Sequence, residues 1–369
     1  MKRIFALQTI FLVASLFMAS CSDDNEDFRD GKPETYRPVP EMVQQQNASH
    51  LGLAVADEHN LYYWTNDSET SAILCRRDKA SGQTTILDRI EKESAPDVEL
   101  VFNSLYLHNG YLYYMPMGDV LKRVKSDGSF APQALTNQPV KVYYMPDRIL
   151  CTPDTYDGLK AFTMDYEGQN RQELTLPADI LSISSIAFRQ GRYYLHAGFE
   201  TTDNSYEFRI LSCAADGSDC QTLCHGHDVV MFVMGNDRIY MVALTENLPT
   251  LPHPFFDYSI YSLPLEGGTP TELVTGVSIN TAIAYHDGYL YYGISDTEVP
   301  VNNGLYRYRT SDGNVETLIK GSGIYYFNLV ADDLIVFLDD EHTTCNRFGT
   351  PFETDFQGSY IRALTADGK

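Results

Sequence analysis

The sequence predicts an all-β fold, a single β-propeller of seven four-stranded blades, with six or eight blades as the alternatives. Two short patterns alternate along the chain, and each occurs seven times at intervals of 37 to 55 residues. Periodicity on this scale is the signature of a repeat architecture, in which each unit buries its apolar face against its neighbours. Aromatic and branched residues surround both patterns, as expected of pleated, half-buried strands.

The first pattern is a tight turn followed by an aromatic-rich strand. It occupies residues 60–64, 110–114, 147–151, 191–195, 237–241, 288–292 and 333–337. Successive side chains of a strand point to opposite faces. One member of each adjacent tyrosine pair should therefore pack between blades, and we interpret these tyrosines as core residues of strand 2.

The second pattern is an acidic or small residue followed by glycine. It occupies residues 80–82, 126–128, 166–168, 215–217, 265–267, 311–313 and 366–368. Glycine permits the positive φ angles of tight hairpin turns. With the short strands before and after these turns, each unit has four antiparallel strands. Packing such sheets in a ring buries the apolar faces that a single sheet would leave exposed.

Closure of the ring is predicted from the two ends of this repeat. The last glycine pattern comes near residue 369, so the last unit lacks a fourth strand. The unassigned segment 34–46 is expected to supply that outermost strand. Pro38 and Pro40 would be tolerated there, because an edge strand does not need all of its N–H donors.

The first twenty residues predict an export signal. Lys2 and Arg3 precede an apolar run at 4–18, which is too short to span a bilayer comfortably. Residues Met18–Cys21 resemble the lipobox of bacterial lipoproteins. This resemblance implies lipid attachment at Cys21 and cleavage just before it; an ordinary secretory signal with a nearby free cysteine is the alternative. We therefore predict a signal peptide at 1–20, an acidic tether at 21–34 and a propeller at 35–369.

The acidic run 22–27 resembles the surface-export signal of Bacteroidota lipoproteins. The resemblance implies a lipid-anchored, surface-exposed protein of the outer membrane, and a periplasm-facing position is the alternative. A simpler interpretation also fits, because clustered like charges repel one another and form a solvated tether.

The blade sequences also resemble known propellers. Residues 61–66, LYYWTN, resemble the Tyr-Trp-Thr-Asp strand of low-density-lipoprotein-receptor-type propellers. Residues 112–128 resemble a bacterial domain-of-unknown-function family related to these and to TolB-type propellers. The resemblance implies the fold and specifies function poorly, and those relatives commonly have six blades.

The formal net charge of −23 argues against nucleic-acid binding, because phosphate recognition requires clustered Lys and Arg. We expect no cofactor and no metal site. Cys213 and Cys220 flank a glycine turn, so a cross-strand disulfide is predicted. Zinc bound by this pair with Cys224, His225 and His227 is the alternative.

The candidate binding residues lie in the connections between strands 2 and 3. These connections are long in blades 5, 6 and 7, at 245–258, 295–303 and 339–358. Long connections on a rigid scaffold commonly carry function, and those of three consecutive blades should cluster on one sector of one face. Their aromatic, imidazole and guanidinium groups suit a sugar ring or a peptide, although the phenylalanines could simply pin the loops. The candidates are His253, Phe255, Phe256, His342, Arg347 and Phe348.

Three functions remain open from the sequence. The first is a surface-anchored binding module for a glycan, a peptide or another envelope protein. The second is a carbohydrate-active enzyme, a lyase or hydrolase, that uses loop histidines and carboxylates for acid–base chemistry. No Gly-x-Ser-x-Gly nucleophile motif occurs in the sequence. The third is a structural scaffold of an envelope complex, since the propeller fold supports all three.

Overall fold

The computed structural model describes residues 35–68, 71–91, 102–116, 120–153, 160–200, 206–226, 228–244, 258–277, 283–295, 300–321, 323–332, 334–339, 351–354 and 360–365. The predicted signal peptide, the tether and Cys21 lie outside the described residues. Within these ranges, no helix has the length and apolar character needed to cross a membrane.

One helix and seven sheets make up the described chain. The helix is α1 (Glu41–Ser49). Blade 1 contains β1 (Ala54–Ala56), β2 (Asn60–Ser68), β3 (Ser71–Asp78) and β4 (Thr84–Glu91). Blade 2 contains β5 (Phe102–His108), β6 (Tyr111–Pro116), β7 (Lys122–Lys125) and β8 (Gln133–Ala134). Blade 3 contains β9 (Val140–Tyr144), β10 (Ile149–Pro153), β11 (Phe162–Met164) and β12 (Gln172–Glu173).

The remaining four blades repeat this plan. Blade 4 contains β13 (Ile180–Arg189), β14 (Arg192–Glu200), β15 (Tyr206–Ala214) and β16 (Gln221–Cys224). Blade 5 contains β17 (Val229–Met234), β18 (Arg238–Leu244), β19 (Tyr258–Pro264) and β20 (Thr271–Val277). Blade 6 contains β21 (Ile283–His286), β22 (Tyr289–Ile294), β23 (Gly304–Arg309) and β24 (Val315–Lys320), with a short 3-10 helix at Pro300–Asn302. Blade 7 contains β25 (Ile324–Ala331), β26 (Leu334–Asp339), β27 (Phe352–Thr354) and β28 (Tyr360–Ala363).

The predicted propeller of seven four-stranded blades is confirmed. Each sheet is antiparallel and places its four strands in chain order from the innermost to the outermost. Every occurrence of the aromatic pattern forms strand 2 of a blade, and the first six glycine patterns form the turns between strands 3 and 4. Gly128 and Gly313, both at φ +75°, illustrate why glycine is required in these turns.

The tyrosines of strand 2 are core residues, as predicted. All eight have at most 4% of their surface exposed: Tyr62, Tyr63, Tyr113, Tyr114, Tyr193, Tyr194, Tyr291 and Tyr292. Aromatic rings also join neighbouring blades. The ring of Trp64 in blade 1 meets that of Tyr114 in blade 2 edge-on, with centroids 5.3 Å apart.

The predicted closure by an amino-terminal strand is wrong. The outermost strand of blade 7 is β28, so all four strands of this blade come from the carboxy-terminal part of the chain. The prediction failed because β27 has only three residues directly after Pro351, too few to show an alternating pattern. The segment 339–358 therefore resembled one long connection, although its strand 2–3 connection ends at β27.

The amino-terminal segment forms a helix after a single bridge. Pro38 pairs with Ala331, on the innermost strand of blade 7 rather than the outermost. Pro40, at φ −52°, then stands at the amino-terminal cap of α1. Glu41 in the first turn favours a helix because it complements the helix dipole, and the glutamines that follow have good helix propensity.

Candidate functional site

Helix α1 occupies the central channel of the propeller. It contacts the innermost strands of six blades, namely β5, β9, β13, β17, β21 and β25. Innermost strands line the channel of a propeller, and each presents an edge with unpaired backbone groups. A segment that enters the channel must therefore satisfy these groups.

The amides of α1 meet this requirement. The Gln46 side chain donates to the Met234 carbonyl at 3.0 Å and accepts from the Tyr285 N–H at 3.3 Å. Asn47 donates to the Leu329 carbonyl at 2.7 Å. A primary amide suits a strand edge because it carries both donors and an acceptor. The amides of α1 thus join blades 5, 6 and 7 around the helix.

The amino-terminal segment enters the channel from a definite side. We call the side with the strand 1–2 and strand 3–4 turns the turn face, and the side with the strand 2–3 connections the connection face. Tyr36 donates from its N–H to Glu58, and Arg37 accepts from the N–H of Asp332; both bonds lie in strand 1–2 turns, at 2.7 and 2.9 Å. Residues 35–37 are therefore held on the turn face.

Asn328 holds the first and last blades together. It is fully buried on β25. Its side-chain oxygen accepts from the N–H groups of Leu53 and Ala54 at 2.6 and 3.0 Å. Its amide nitrogen donates to the Leu51 carbonyl at 3.3 Å. One side chain thereby takes over part of the closing role that the sequence assigned to a strand.

His50 follows α1 in the channel. Its Nδ1 lies 2.9 Å from the Gln46 carbonyl, and its Nε2 is buried without a hydrogen-bond partner. Burial lowers the pKa of His50, and the bond to the Gln46 carbonyl opposes this shift. The imidazole is therefore neutral at pH 7, with its proton on Nδ1 and an acceptor lone pair on Nε2.

The predicted binding residues fall outside the described residues. His253, Phe255 and Phe256 lie in the connection between β18 and β19, and His342, Arg347 and Phe348 lie in the connection between β26 and β27. The strands that flank both connections, β18, β19, β26 and β27, are described, and their ends nearest these connections lie at the connection face.

Three exposed apolar side chains lie on the described part of the connection face. Tyr206 and Val301 are exposed to 70% and 69%, and Leu181 to 42%. Tyr206 pairs with Glu200 where β14 and β15 meet this face. Leu181 and Tyr206 belong to blade 4 and Val301 to blade 6, so these residues flank blade 5 on both sides.

A charged cluster lies at the same end of blade 4. Arg209 donates to the Glu207 carboxylate at 2.9 Å, and its guanidinium lies 4.3 Å from the centre of the Phe199 ring. His225 Nδ1 is 3.8 Å from Glu207. The hydrogen bond from Arg209 lowers the pKa of Glu207. The cluster therefore presents a carboxylate beside two nitrogen donors near exposed Tyr206.

The structure joins Cys213 and Cys220 in a disulfide. Neither sulfur is then available as a thiolate ligand for zinc. Throughout the described ranges, no group of three or more His, Cys, Asp or Glu side chains is arranged to hold a metal ion.

Sequence reasoning missed α1, His50 and Asn328. The available signal for α1 was Pro40 followed by helix-forming residues immediately before the first inner strand. Nothing in the sequence distinguishes Asn328 from other polar residues within strands.

No protein-family model matches the chain, and no curated protein sequence matches it. Among solved structures, an oligogalacturonate lyase from Vibrio parahaemolyticus is similar at a TM-score of 0.59 with 12% identity, over 89% of this chain and 93% of the lyase. The propeller domain of the Pyrococcus furiosus Trilobed protease, which has an open velcro topology, gives 0.53 with 13% identity, over 87% and 99%.

A puromycin-hydrolysing peptidase from Mycobacterium tuberculosis gives a TM-score of 0.58 with 15% identity over 90% of this chain. The chain spans only 56% of that peptidase's length. Identities this low show the fold alone. Because the similar structures include hydrolases and a lyase, the fold is compatible with both binding and catalysis.

Proposed function

We propose that this protein is a binding module that holds a neutral glycan on its connection face and is anchored to the outer membrane by a lipid on Cys21. The observation that carries the proposal is the exposure of Leu181, Tyr206 and Val301 on this face. Exposed apolar groups beside polar ones can contribute to an interaction surface. The six candidates of blades 5 and 7 would extend this site across the neighbouring sector.

The chemistry of blade 4 favours a sugar. The exposed ring of Tyr206 offers an apolar face and a polar hydroxyl. Glu207 and His225 add a carboxylate and an imidazole, which can exchange hydrogen bonds with sugar hydroxyls. A net charge of −23 repels acidic polysaccharides, so the preferred glycan is neutral.

The channel indicates the side from which a ligand could enter the propeller. Helix α1 occupies the channel and is hydrogen-bonded to the turn-face ends of inner strands β17 and β21. A ligand that reaches into the channel must therefore enter from the connection face. That entrance lies on the side where β18 and β26 end.

The test is a panel of neutral and acidic polysaccharides, scored by calorimetry for binding and by chromatography for released products. For the glycan that binds, Tyr206→Ala should weaken affinity about tenfold, because a stacked ring contributes roughly 1 kcal/mol beyond its buried area. Tyr360→Ala is the matched control, since Tyr360 is 62% exposed but lies at the turn-face end of blade 7.

The outcomes separate the candidate functions. Equal affinity of the Tyr206→Ala variant and the wild type would remove blade 4 from the site. A double variant, Phe255→Ala with Phe348→Ala, tests the sector of blades 5 and 7 in the same way. Release of product from any polysaccharide would favour the lyase or hydrolase. Absence of glycan binding, with capture of a peptide or an envelope protein, would favour the other binding roles or the scaffold.

A further inference from the structure

Three blades carry an arginine at the same register position of strand 3. Each of these arginines is paired on one side with a tyrosine of strand 2 and on the other side with a residue of strand 4. The three are Arg76 in blade 1, Arg123 in blade 2 and Arg307 in blade 6. Directly paired residues lie on the same face of an antiparallel sheet, so the three guanidinium groups have comparable neighbours.

In blades 2 and 6, side chains of the same blade contact the guanidinium on two sides. In blade 2 the arginine donates to the Gln133 side chain at 3.2 Å, and its guanidinium carbon lies 4.8 Å from the centre of the Tyr111 ring. In blade 6 the arginine donates to the Glu316 carboxylate at 2.7 Å and lies 4.9 Å from the centre of the Tyr289 ring. Strand 4 thus supplies an acceptor, and the start of strand 2 supplies an aromatic ring.

Blade 1 lacks both of these neighbours. Thr85 occupies the register position of the acceptor, and Asn60 occupies that of the ring. Arg76 donates to the Ser126 carbonyl of blade 2 at 3.4 Å, whereas the corresponding bond in the next blade, to the Tyr166 carbonyl, is 2.9 Å. Within the described ranges, no carboxylate lies within 4 Å of the Arg76 guanidinium. Most of its N–H donors therefore remain available to a ligand.

A polar groove of about 350 Å³ includes this guanidinium, and its volume suits a small ligand. The groove lies at the turn-face end of blade 1, because the strand 3–4 turn and the start of β2 contribute to it. Its lining residues are Asn60, Arg76, Asp78, Ser81, Gln83 and Thr85. All six side chains are polar, so the groove offers both donors and acceptors.

Asp78 gives the groove a charge opposite to that of Arg76. In blades 2 and 6 this register position holds a cation instead, Lys125 or Arg309. Asp78 Oδ1 accepts from the N–H and the hydroxyl of Ser81, both at 2.7 Å. These bonds lower the pKa of Asp78, so its carboxylate is ionised at pH 7. Among the described side chains, no Lys or Arg nitrogen lies within 4 Å of this carboxylate.

We propose that this groove binds a small zwitterion, an α-amino acid, whose carboxylate pairs with Arg76 and whose ammonium pairs with Asp78. A guanidinium can hold a carboxylate through two parallel hydrogen bonds, as the uncovered side of Arg76 permits. A zwitterion has no net charge, so the charge of −23 on the chain does not repel it. The groove lies on the turn face, so this site is independent of the proposed glycan site.

Titration calorimetry of the full chain with the common L-amino acids tests the site. Propionate and ethylamine, which carry one charge each, and glucose are the comparison ligands. We expect at least one amino acid to bind with a Kd below about 1 mM, and each comparison ligand to bind at least about tenfold more weakly.

The repeat supplies a matched control for the key side chain. Arg76→Gln should weaken the affinity for the bound amino acid at least about tenfold, because a charged hydrogen-bonded pair is lost. Arg123→Gln removes the equivalent side chain of blade 2 and should leave the affinity unchanged. Thr85→Glu provides the acceptor found in blade 6 and should also weaken binding, because it occupies the guanidinium. Thr85 is exposed, so this variant should fold.

Absence of binding by every amino acid would overturn the proposal, as would equal losses of affinity in Arg76→Gln and Arg123→Gln. Propionate that binds as tightly as the best amino acid would indicate an anion site, and tighter binding of glucose would indicate a sugar site. Either result would overturn the zwitterion assignment. Urea unfolding identifies any variant that does not fold, and if Arg76→Gln does not, Thr85→Glu decides.

Discussion

The amides of α1 and the imidazole of His196 are both buried within the propeller, but their surroundings differ. Gln46 and Asn47 lie in the channel and hydrogen-bond to the backbone of three innermost strands. His196 lies on β14 beneath the Phe208 ring, at 4.9 Å between ring centres, and neither of its ring nitrogens has a hydrogen-bond partner of normal geometry.

This difference follows from what each region offers to a polar group. The edge of an innermost strand carries backbone donors and acceptors that have no strand beside them. The interface between two blades is made of side chains from both sheets, and near His196 these are mostly apolar. A buried polar side chain is therefore stabilising where it reaches backbone partners, as Gln46 and Asn47 do, and costly where it lacks them, as at His196.

The largest expected effect comes from Asn328→Ala, because Asn328 satisfies N–H groups at the edge of the innermost strand of blade 1. This substitution leaves the buried N–H groups of Leu53 and Ala54 without an acceptor, at roughly 1–3 kcal/mol for each. We expect the free energy of unfolding in urea to fall by about 4 kcal/mol. Asn314→Ala, on an exposed turn of blade 6, is the control and should cost under about 1 kcal/mol. Equal losses in both variants would show that Asn328 does not hold blades 7 and 1 together.

The blade interface is tested through the pH dependence of stability. Burial lowers the pKa of His196 to about 4, and the nearby backbone of Val229 offsets this only in part. Between pH 6.5 and 4 the unfolded chain therefore binds a proton that the folded chain excludes, so stability falls as the pH falls. The wild type should lose about 3 kcal/mol over this range relative to His196→Leu.

The control for this measurement is His59→Leu, at an exposed turn position, which should follow the wild-type curve. Urea unfolding at several pH values between 7 and 4 gives both curves. Parallel curves for the wild type and His196→Leu would mean that the imidazole is protonated, or paired, in the folded chain.

The smallest expected effect is the difference in stability between variants of two nearby glutamines of α1. Gln46→Ala removes partners from both the Met234 carbonyl and the Tyr285 N–H, so stability should fall by about 2 kcal/mol. Gln44→Ala removes a bond at 3.2 Å to Val39 within the same segment and should cost about 1 kcal/mol or less. Hydrogen exchange over residues 41–49 should accelerate more in Gln46→Ala. Indistinguishable exchange in the two variants would contradict the proposed role of the inner-strand edges.

The strands were predictable because their signals are local. The turn before each aromatic strand 2 and the glycine turn before most fourth strands are encoded within a few residues. Blade 7 shows the limit of such signals. Its third strand, Phe352–Thr354, is too short for a period to emerge, and it exists because β26 and β28 lie on either side of it.

The sequence predicted which face of the propeller carries the candidate site, but not which of the described residues form it. The uneven lengths of the strand 2–3 connections indicate which face is elaborated, and exposed Tyr206 and Val301 lie on that face. Neither residue was among the sequence candidates. An exposed aromatic at the start of a strand cannot be distinguished by sequence from one that packs between blades.

The sequence by itself determined the repeating unit, the order of its strands and the number of blades, since turns and alternating strands are specified by neighbouring residues. Only the tertiary structure decided the fate of residues 35–50. The run from Gln44 to Asn47 has the composition of a solvated segment, and it becomes an interior helix because the ring creates a channel lined by unpaired backbone groups. Those backbone groups belong to strands that are far apart in the chain. Their meeting in one channel therefore cannot be predicted from any local sequence pattern.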